Sequence, residues 1–401
     1  MVGENGIYLL SMKETKFKHT EIGLIPEDWE VKKISEVCRN FTGLTYNPEN
    51  IANYGTLVLR SSNIQNNELT FMDNVYVDME IPNRAIAKAG DVLVCVRNGS
   101  SQLIGKSALI TPEAEGMAFG AFMTVLRTSS IDNVYLLQSW RHKRTQDQIH
   151  ETFGATINQI TSKDFNRILI PIPPNKEEQS RIATALYDID TLIRNLDRTI
   201  EKKKNIRQGA MEQLLSGKKR LPGFKGEWEQ VEIGNVCKRM KRGEVLSAAE
   251  MNTGVFPVIA AGTEPAGHCD KYNRNPMTIS VSGSGANAGF VAFHKNRIFA
   301  TDCFTIGASE EYDVEFIYYV LKMRQKEIFK LQTGGAQPHV YPRDLSSMSV
   351  YYTADLQEQR AIADTLTAMD DEIAVLQMER DKYANIRSGM MDDLLTGAKR
   401  L

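Results

Sequence analysis

The 401-residue chain contains an internal repeat, and this repeat constrains its fold more than any other feature. Residues 164–221 align without a gap with residues 344–401 at a constant offset of 180, and 21 of the 58 aligned positions are identical. Both copies end on Lys-Arg-Leu. A weaker repeat near the start of each half places Trp29 in correspondence with Trp228. Because a duplicated segment folds as a duplicated structural unit, the sequence predicts two similar halves.

The C-terminal part of each copy is predicted to form a long helix. Its apolar residues follow a 4-3 spacing, which is typical of a coiled-coil seam. These residues are Ile182, Leu186, Ile189, Ile193, Leu196 and Ile200 in the first copy, and Ile362, Leu366, Met369, Ile373 and Leu376 in the second. Each helix is expected to span about 40 residues, or roughly 60 Å.

Start and stop signals stand at the same places in the two copies. A capping box, made of an N-cap residue and a glutamate three positions later, is predicted at each helix start, and a left-handed glycine at each end. The residues are Asn175, Glu178 and Gly217 in the first copy, and Asp355, Glu358 and Gly397 in the second.

Charge favours pairing of the two helices with each other. Residues 175–221 carry a net charge of +4 and residues 355–401 carry −4, so the helices attract each other more than their own kind. The alternative is that each helix pairs with the same helix of a second chain, which would give two separate homodimer seams. An antiparallel pair is expected, because a parallel pair would need a return loop as long as the helix.

The predicted fold class is α+β, with two β-rich globular domains joined by two long antiparallel coiled-coil helices in a pseudo-two-fold dumbbell. The predicted divisions are an N-terminal extension (1–20), a first block (21–174), helix 1 (175–221), a second block (222–354) and helix 2 (355–401). Strands are predicted at 57–60, 91–96, 107–110, 278–281 and 290–293, and helices at 133–151 and 314–331.

The glycine-rich segments do not fit nucleotide-binding motifs. Residues 99–107 have five residues between the glycines where a P-loop has four, and residues 283–289 miss the dinucleotide fingerprint by one residue. The six histidines show no metal-ligand spacing, and the Asn/Asp-Pro-Pro-aromatic loop of a DNA methyltransferase does not occur. The chain is therefore predicted to bind rather than to catalyse.

Composition indicates the cellular compartment and the kind of partner that the chain can bind. Five cysteines without a Cys-x-x-Cys pair argue against a disulfide framework and favour the cytoplasm. No apolar run approaches the roughly 18 residues of a membrane span. The net charge of −2 argues against a protein that binds DNA without sequence preference through a broad basic surface. It allows a sequence-specific DNA-binding protein whose contacts are confined to a small part of its surface.

Two dissimilar β-rich blocks, each followed by a long helix that opens with Glu-Gln-x-x-Ile-Ala, resemble the specificity subunit of type I restriction–modification systems. The resemblance runs from about residue 21 to residue 401. Its motifs are Ile25-Pro26-x-x-Trp29, Ile172-Pro173-Pro174-x-x-x-Glu178-Gln179 and Leu214-Leu215-x-Gly217. The second copy departs from the pattern, since Tyr351-Tyr352-Thr353-Ala354 stands where the prolines would be.

The resemblance implies that each block is a target-recognition domain for one half of an asymmetric bipartite sequence in double-stranded DNA. The helix pair would set the spacer between the halves and dock two methyltransferase subunits. Those partner subunits would bind S-adenosylmethionine, and a restriction subunit, where present, would use ATP and Mg²⁺. This chain is expected to be a non-catalytic cytoplasmic subunit, without a membrane segment and without a cofactor or metal of its own.

Candidate DNA contacts are polar or basic residues predicted to lie on loops and strand ends. Arginine pairs with guanine edges, whereas asparagine and glutamine pair with adenine. The candidates for base contacts are Arg60, Asn63, Arg97, Asn98, Ser101, Gln102, Asn158 and Gln159 in the first block, and Ser282, Ser284, Asn287, Gln337 and His339 in the second. The candidates for phosphate contacts are Lys106, Arg141, Lys143, Lys238, Arg239, Lys241, Arg242 and Lys295.

A different class of protein also fits part of the pattern. A coiled-coil scaffold that presents two protein-binding domains would explain the helices equally well, and the near-neutral charge mildly favours it. It leaves unexplained why the polar loops differ between the blocks.

Overall fold

The computed structural model describes residues 15–151 and 159–401, and it divides into two compact units. Unit 1 combines the described residues up to Asn195 with Arg380–Leu401. Unit 2 is Leu196–Glu379. Each unit therefore contains one β-rich part and one segment of each long helix.

Unit 1 is built from short strands and three short helices, followed by the first long helix. The strands are β1 (Phe17–Thr20), β2 (Gly23–Pro26), β3 (Glu30–Lys33), β4 (Cys38–Thr42), β5 (Ile51–Ala52), β6 (Thr56–Leu59), β7 (Ile64–Gln65), β8 (Glu68–Leu69), β9 (Tyr76–Val77), β10 (Val92–Cys95), β11 (Ser107–Leu109), β12 (Ala118–Phe119), β13 (Met123–Thr128) and β14 (Leu169–Ile172). The helices are α1 (Ile34–Val37), α2 (Asn133–Arg141), α3 (Lys143–Glu151) and α4 (Lys176–Leu214).

Two four-stranded sheets form most of the β-rich part of unit 1, and three two-stranded pairs, β1-β2, β3-β14 and β7-β8, complete it. One is antiparallel with the order β11-β10-β13-β4, and the other has the order β12-β6-β9-β5 with β12 parallel to β6. Strand β10 is buried along its whole length. Leu93 and Cys95 belong to the apolar cluster that includes Leu59 of the second sheet, whereas Val92 and Val94 belong to the cluster with α2. Burial on both faces explains why this strand has no polar alternation.

Unit 2 has the same plan with fewer strands. Its strands are β15 (Glu229–Glu232), β16 (Met240–Arg242), β17 (Phe256–Ile259), β18 (Gly267–Cys269), β19 (Thr278–Ser282), β20 (Val291–His294), β21 (Phe299–Ala300), β22 (Cys303–Ile306) and β23 (Ser349–Tyr352). Its helices are α5 (Ile233–Val236), α6 (Val314–Met323), α7 (Gln325–Phe329), α8 (Pro342–Ser346) and the second long helix, α9 (Leu356–Leu395).

The sheets of unit 2 repeat the strand order of unit 1. The antiparallel sheet β20-β19-β22-β16 corresponds to β11-β10-β13-β4, and the parallel pair β17–β21 corresponds to β6–β12. The sequence shows no residue-by-residue similarity between these middle regions. The two blocks nevertheless share one scaffold, because strand order requires only apolar residues at the buried positions.

The strands and helices predicted from sequence are largely confirmed. The predicted helices 133–151 and 314–331 each divide into two, α2 with α3 and α6 with α7, at His142 and Arg324. The end of the predicted extension is ordered into the sheet structure, since β1 pairs with β2 in an antiparallel hairpin. Among the described residues, no helix is long and apolar enough to cross a membrane.

The two long helices contain 39 and 40 residues, as predicted. Asn175 and Asp355 cap their starts, because the side-chain oxygens accept hydrogen bonds from the amides of Glu177 and Gln357. Gly217 and Gly397 end the last turns with φ of +68° and +71°.

The predicted capping boxes are wrong in their second half. Glu178 and Glu358 do not return to the N-cap amide, because each carboxylate binds an arginine from the end of the other repeat. Nη2 of Arg400 lies 2.7 Å from Glu178, and Nη2 of Arg220 lies 2.7 Å from Glu358. A charged partner that the sequence places more than 130 residues away cannot be read from local spacing.

Within each unit, the segments of α4 and α9 run antiparallel. In unit 1, Glu178 pairs with Arg400, and Asp190 pairs with Arg387. In unit 2, Arg207 lies 3.0 Å from Asp370, and Arg220 pairs with Glu358. The partner number falls as the residue number rises, which confirms the predicted direction. These contacts lie within one chain, as the charge argument predicts.

Candidate nucleic-acid interface

Several loops of unit 1 meet at one end of its sheets. Strand β10 ends where its antiparallel neighbours β11 and β13 begin, and the parallel strands β6 and β12 end on the same side. The segments after β6, after β10 and between β12 and β13 therefore lie together. We call this end the loop edge of unit 1, and the corresponding end of unit 2 its loop edge.

Arg97 occupies the loop edge of unit 1 and is exposed. Its guanidinium lies 5.2 Å from the ring centroid of Phe122, which is 54% exposed. The backbone of Arg97 forms a bridge with Gln159, and the amide of Ile160 donates to the Val96 carbonyl at 2.8 Å. The arginine thus rests on an aromatic ring, with its charge available to a ligand.

Asn98 continues this cluster. Its Nδ2 donates to Oγ of Ser61 at 3.2 Å, and its Oδ1 accepts from the amide of Ser100. Ser101 and Gln102 follow in an exposed 3-10 turn (Ser101–Leu103). The structure therefore places Arg97, Asn98, Ser101, Gln102 and Gln159 near one another, whereas Asn158 lies outside the described residues.

Asn63 is not available for base contacts, which corrects the sequence prediction. It is fully buried, and its Nδ2 donates to the carbonyls of Thr70 (3.0 Å) and Asp73 (3.1 Å) while its Oδ1 accepts from the Arg60 amide. Arg60 is itself held by Asp73, whose carboxylate lies 2.9 Å from Nη2. Both residues shape the loop. Arg60 could reach DNA only after leaving this ion pair.

The predicted phosphate contacts of unit 1 have different environments. Arg141 is held by the carbonyls of Asn67 (2.7 Å) and Ser107 (2.8 Å), and burial lowers the pKa of its guanidinium to about 10. Its prediction as a phosphate contact is therefore wrong. Lys143, the first residue of α3, is exposed. Lys106 is half-buried at the start of β11, at the loop edge.

The loop edge of unit 2 is built by the same backbone contacts. Ser284 forms a bridge with His339, as Arg97 does with Gln159, and the amide of Val340 donates to the Gly283 carbonyl at 3.1 Å. Corresponding positions of the two units therefore carry different side chains. The scaffold is repeated while the chemistry at its edge changes.

Two serines predicted as base contacts in unit 2 are buried, and these predictions are wrong. Ser282 is 3% exposed within β19, where it pairs with Cys303 of β22. Ser284 is 6% exposed, and its hydroxyl donates to the carboxylate of Asp302. The Ser284 hydroxyl therefore supports the edge, where exposed Asp302 presents an acceptor.

Cations and aromatic rings border a groove of about 270 Å³ at this edge. The ring of His339 stacks on Tyr341 at a centroid distance of 6.0 Å, and the guanidinium of Arg343 lies 5.2 Å from the Tyr341 ring. Arg343 is 82% exposed at its side chain, and Arg242 lines the same groove. Gln337 is exposed in the loop before His339, and Asn287 is half-buried in the loop after β19. This edge can therefore offer both positive charge and stacking.

Other predicted cations of unit 2 lie elsewhere. Lys295 follows β20, and Lys238 precedes β16, so both belong to the opposite end of the sheet. The ammonium of Lys238 is paired with Glu311 at 3.2 Å. Arg239 is beside it, whereas exposed Lys241 lies on β16 next to Arg242. Only Lys241 and Arg242 of this group are near the loop edge.

Sequence reasoning missed Phe122, Asp302, Tyr341 and Arg343. No local motif marks them, because each becomes part of the site only when the strands align. The available signal was the position of Tyr341-Pro342-Arg343, which is separated from the 334–339 loop by one residue, Val340.

The structure also shows whether the described residues could bind a metal ion or provide a reactive thiol. Among residues 15–151 and 159–401, no group of three or more His, Cys, Asp or Glu side chains could hold a metal ion. All five cysteines are buried, and burial raises the pKa of Cys38, Cys237 and Cys303 to about 12, so these thiols stay protonated near neutral pH.

Comparison with known proteins identifies the family. The family model described as type I restriction modification DNA specificity domain matches residues 26–205 and again residues 225–382. The chain belongs to this family. The two matches correspond to the two halves of the repeat, and the resemblance inferred from sequence is confirmed.

Two relatives align with nearly the whole of this chain. It is 29% identical to a candidate specificity subunit of the type I restriction enzyme MjaX from Methanocaldococcus jannaschii, covering 98% of this chain and 99% of the relative. It is 24% identical to the MjaVIII specificity subunit of the same organism, with 97% of each chain covered. The crystal structure of a type I restriction–modification S subunit from M. genitalium has the same fold, with a TM-score of 0.69, 21% identity, and coverage of 92% of this chain and 96% of that one.

Proposed function

We propose that this chain is the DNA specificity subunit of a type I restriction–modification complex, and that each unit reads one half of an asymmetric bipartite target. The supporting observation is that one scaffold is present twice with different side chains at its loop edge. Arg97, Phe122 and Gln159 stand in unit 1, whereas His339, Tyr341 and Arg343 stand in unit 2. Because base identity is read through donors and acceptors, two different sets of side chains read two different half-sites.

In unit 1, Arg97 is the proposed guanine reader. A guanidinium binds O6 and N7 of guanine through two parallel hydrogen bonds. The Phe122 ring limits the rotamers of Arg97, so that less conformational freedom is lost on binding. Asn98, Ser101, Gln102 and Gln159 supply further donors and acceptors, and Lys106 supplies a phosphate contact.

In unit 2, the proposed readers are Gln337, His339 and Arg343, with Asn287 on the adjacent loop. Arg242 and Lys241 are the proposed phosphate contacts. Asp302 can accept a hydrogen bond from the amino group of cytosine. Half-sites of different sequence follow from these differences.

The proposed complex contains two methyltransferase subunits, which supply S-adenosylmethionine chemistry, and restriction subunits where these are present. This chain contributes recognition and takes no covalent step. Since α4 and α9 each contribute a segment to both units, we propose that they set the number of unread base pairs between the half-sites. Because the net charge is near neutral, we expect the partner subunits to add to the affinity for the DNA backbone.

Selection from random-sequence duplexes tests this function. The chain is purified with its methyltransferase partner, and the bound duplexes are sequenced. A split motif with a fixed gap is the expected result, and Arg343→Ala should relax only the half read by unit 2. Binding without sequence preference, or no binding, would support the scaffold alternative.

A further inference from the structure

Two large apolar side chains are exposed at the loop edge of unit 1. Met72 is 93% exposed, and its neighbour Phe71 is 40% exposed. Both belong to segment 70–75, which links β8 to β9. Because β9 is antiparallel to β6, the residues that enter β9 lie beside those that leave β6, and the Val58 amide donates to the Val75 carbonyl at 2.8 Å. We call Phe71 and Met72 the apolar tip.

The backbone on both sides of the apolar tip is held in place. Asn63 is fully buried, and its Nδ2 donates to the carbonyls of Thr70 (3.0 Å) and Asp73 (3.1 Å). The carboxylate of Asp73 lies 2.9 Å from Nη2 of Arg60, which offsets the negative charge that adjoins the tip. The tip therefore loses little conformational freedom when it binds a ligand, and the adjoining carboxylate repels an anionic ligand less.

The corresponding connection of unit 2 has no such tip. Strand β18 is antiparallel to β17, as β9 is to β6. The connection between β17 and β18 is residues 260–266, with the sequence Ala-Ala-Gly-Thr-Glu-Pro-Ala, whereas the connection between β6 and β9 is residues 60–75. The shorter connection contains no large apolar side chain. The apolar tip is therefore an addition to unit 1 that the common scaffold does not require.

The position of the apolar tip indicates that DNA covers it. Nδ2 of Asn98, in the loop after β10, donates to Oγ of Ser61 at 3.2 Å, in the segment that also carries the tip. The tip and the proposed guanine reader Arg97 thus stand on loops that are joined to each other. Phe122 adds a third exposed apolar side chain to this edge. A duplex whose bases reach Arg97 also comes close to the tip.

The size of the apolar tip distinguishes between two kinds of apolar contact with DNA. The 5-methyl group of thymine is one methyl group at the edge of the groove, and a side chain as small as alanine can contact it. Phe71 and Met72 expose more apolar surface than one methyl group can cover. The space between two separated base pairs accepts a whole side chain, and phenylalanine and methionine are among the residues that enter it in other DNA-binding proteins.

We propose that the apolar tip is a wedge that enters one base step, in or beside the half-site read by unit 1, and separates two stacked base pairs. The proposal rests on the function proposed above and adds a local deformation of the DNA to it. Met72 enters the step, because it is the more exposed residue and its unbranched side chain adapts to a narrow space. Since pyrimidine–purine steps unstack most easily, the wedge selects such a step without a hydrogen bond to its bases.

Fluorescence of 2-aminopurine, which rises when this base is unstacked, tests the wedge. The chain with its methyltransferase partner binds the duplex obtained by selection, in which 2-aminopurine replaces each adenine of either strand in turn. Methyltransferases also extrude their target base, so the informative signal is the one that depends on Met72. Met72→Ala should abolish the rise at one step of the first half-site, leave the signals of the second half-site unchanged, and weaken binding about 10-fold.

Met72→Leu keeps an apolar side chain of similar size and should retain both the fluorescence and the affinity. Because Met72 is exposed, neither substitution should change the thermal midpoint of the chain. Tyr54→Ala is the matched control. Tyr54 is 65% exposed, and its hydroxyl donates to Asp78, which follows β9 at the end away from the loop edge. This variant should behave as the unaltered chain does.

The outcomes separate failure of the wedge from failure of the proposed function. If selection gives no split motif, the proposed function is wrong, and the wedge is rejected with it. If a split motif appears and Met72→Ala leaves every fluorescence signal unchanged, the function stands and the wedge is overturned. A loss of affinity that uracil in place of one thymine reproduces, without any change in fluorescence, would assign the tip to a thymine methyl group instead. Fewer methyltransferase copies on Met72→Ala in native mass spectrometry would assign it to a protein contact, which also overturns the wedge.

Discussion

Asn63 and Arg97 lie at the same edge of unit 1, but their surroundings predict different effects on substitution. Arg97→Ala should weaken binding by about 1–3 kcal/mol only on duplexes that carry the correct first half-site, because it removes a base contact. Asn63→Ala should destabilise the unit by about 1–3 kcal/mol, because it leaves the Arg60 amide and the Thr70 carbonyl without their hydrogen-bond partner. Fluorescence anisotropy on duplexes with either half scrambled, together with urea unfolding, separates the two effects. An equal loss of affinity for every duplex with Arg97→Ala would remove its reading role.

The buried carboxylate of Glu358 makes a second contrast at this scale. It is fully buried and binds Arg220, whereas Lys238 and Glu311 form an ion pair with both side chains about two-thirds exposed. Arg220→Met should cost about 3–5 kcal/mol, because a buried charge loses its partner. Lys238→Met should cost less than about 1 kcal/mol.

Urea unfolding of these two variants, with Arg220→Met/Glu358→Met added, measures the difference. The double variant should recover much of the stability lost in Arg220→Met, since it removes the unpaired carboxylate as well. If the double variant is no more stable than Arg220→Met, loss of packing rather than an unpaired charge is the cause.

Burial lowers the pKa of His294 to about 4, and its Nε2 lies 2.7 Å from Oγ of Ser280. The ordinary pKa of histidine is about 6.5, so between these values the unfolded chain binds more protons than the folded one. The stability contributed by neutral His294 is therefore complete above about pH 6.5 and is lost as the pH falls toward 4. The loss should amount to a few kcal/mol.

The His294→Gln variant should show a weaker decrease of stability between pH 7 and pH 4.5 than the unaltered chain. Urea unfolding midpoints measured across this pH range give the difference in stability between the two proteins. The titration of carboxylates contributes equally to both proteins and cancels in this difference. His268→Gln, at an exposed position, is the matched control. Parallel pH profiles for the His294 variant and the unaltered chain would contradict a buried neutral imidazole.

At the scale of elements, the sequence predicts what depends on periodicity and misses what depends on distant partners. The 4-3 apolar spacing and the glycine ends predict both long helices within a few residues, and apolar runs predict strands such as β10 and β19. The common strand order of the two middle regions was not predictable, because different apolar residues fill equivalent buried places. The prediction that Ser282 and Ser284 contact bases was wrong because it relied on their polarity alone. A serine in a glycine-rich segment can point inward as readily as outward.

Glycines of the same helix should respond in opposite ways to substitution by alanine. Gly217 has φ of +68°, and a Cβ there would lie 3.0 Å from ring atoms of Trp228, so Gly217→Ala should destabilise the chain by about 1–2 kcal/mol. Gly209 has helical neighbours and open space, so Gly209→Ala should stabilise it by about 0.5–1 kcal/mol. Thermal unfolding of the two variants, without partners, measures both signs. A stabilising Gly217→Ala would show that the left-handed cap is not required.

At the scale of the whole chain, unit 1 is completed by a segment from the other end of the sequence, whereas unit 2 is one continuous stretch. Leu394 and Leu395 pack in the apolar cluster of Trp29 and Tyr135, and Arg400 binds Asp28 and Glu178. The C-terminus is thus part of the N-terminal recognition unit. A chain cut between the two sequence halves would leave unit 1 without these contacts, so sequence halves and folded units are not the same objects.

Deletion of residues 396–401 should therefore loosen unit 1 and leave unit 2 unchanged. Glu178 would remain buried without Arg400, which should cost about 3–5 kcal/mol in that unit. Hydrogen exchange followed by mass spectrometry should show faster exchange in peptides that contain Trp29 and Ile182, and unaltered exchange in those that contain Trp228 and Ile362. Arg220→Ala is the mirror variant and should reverse the pattern, because its partner Glu358 belongs to unit 2. If either variant increased hydrogen exchange equally in both units, the two arginines would not stabilise the two units separately.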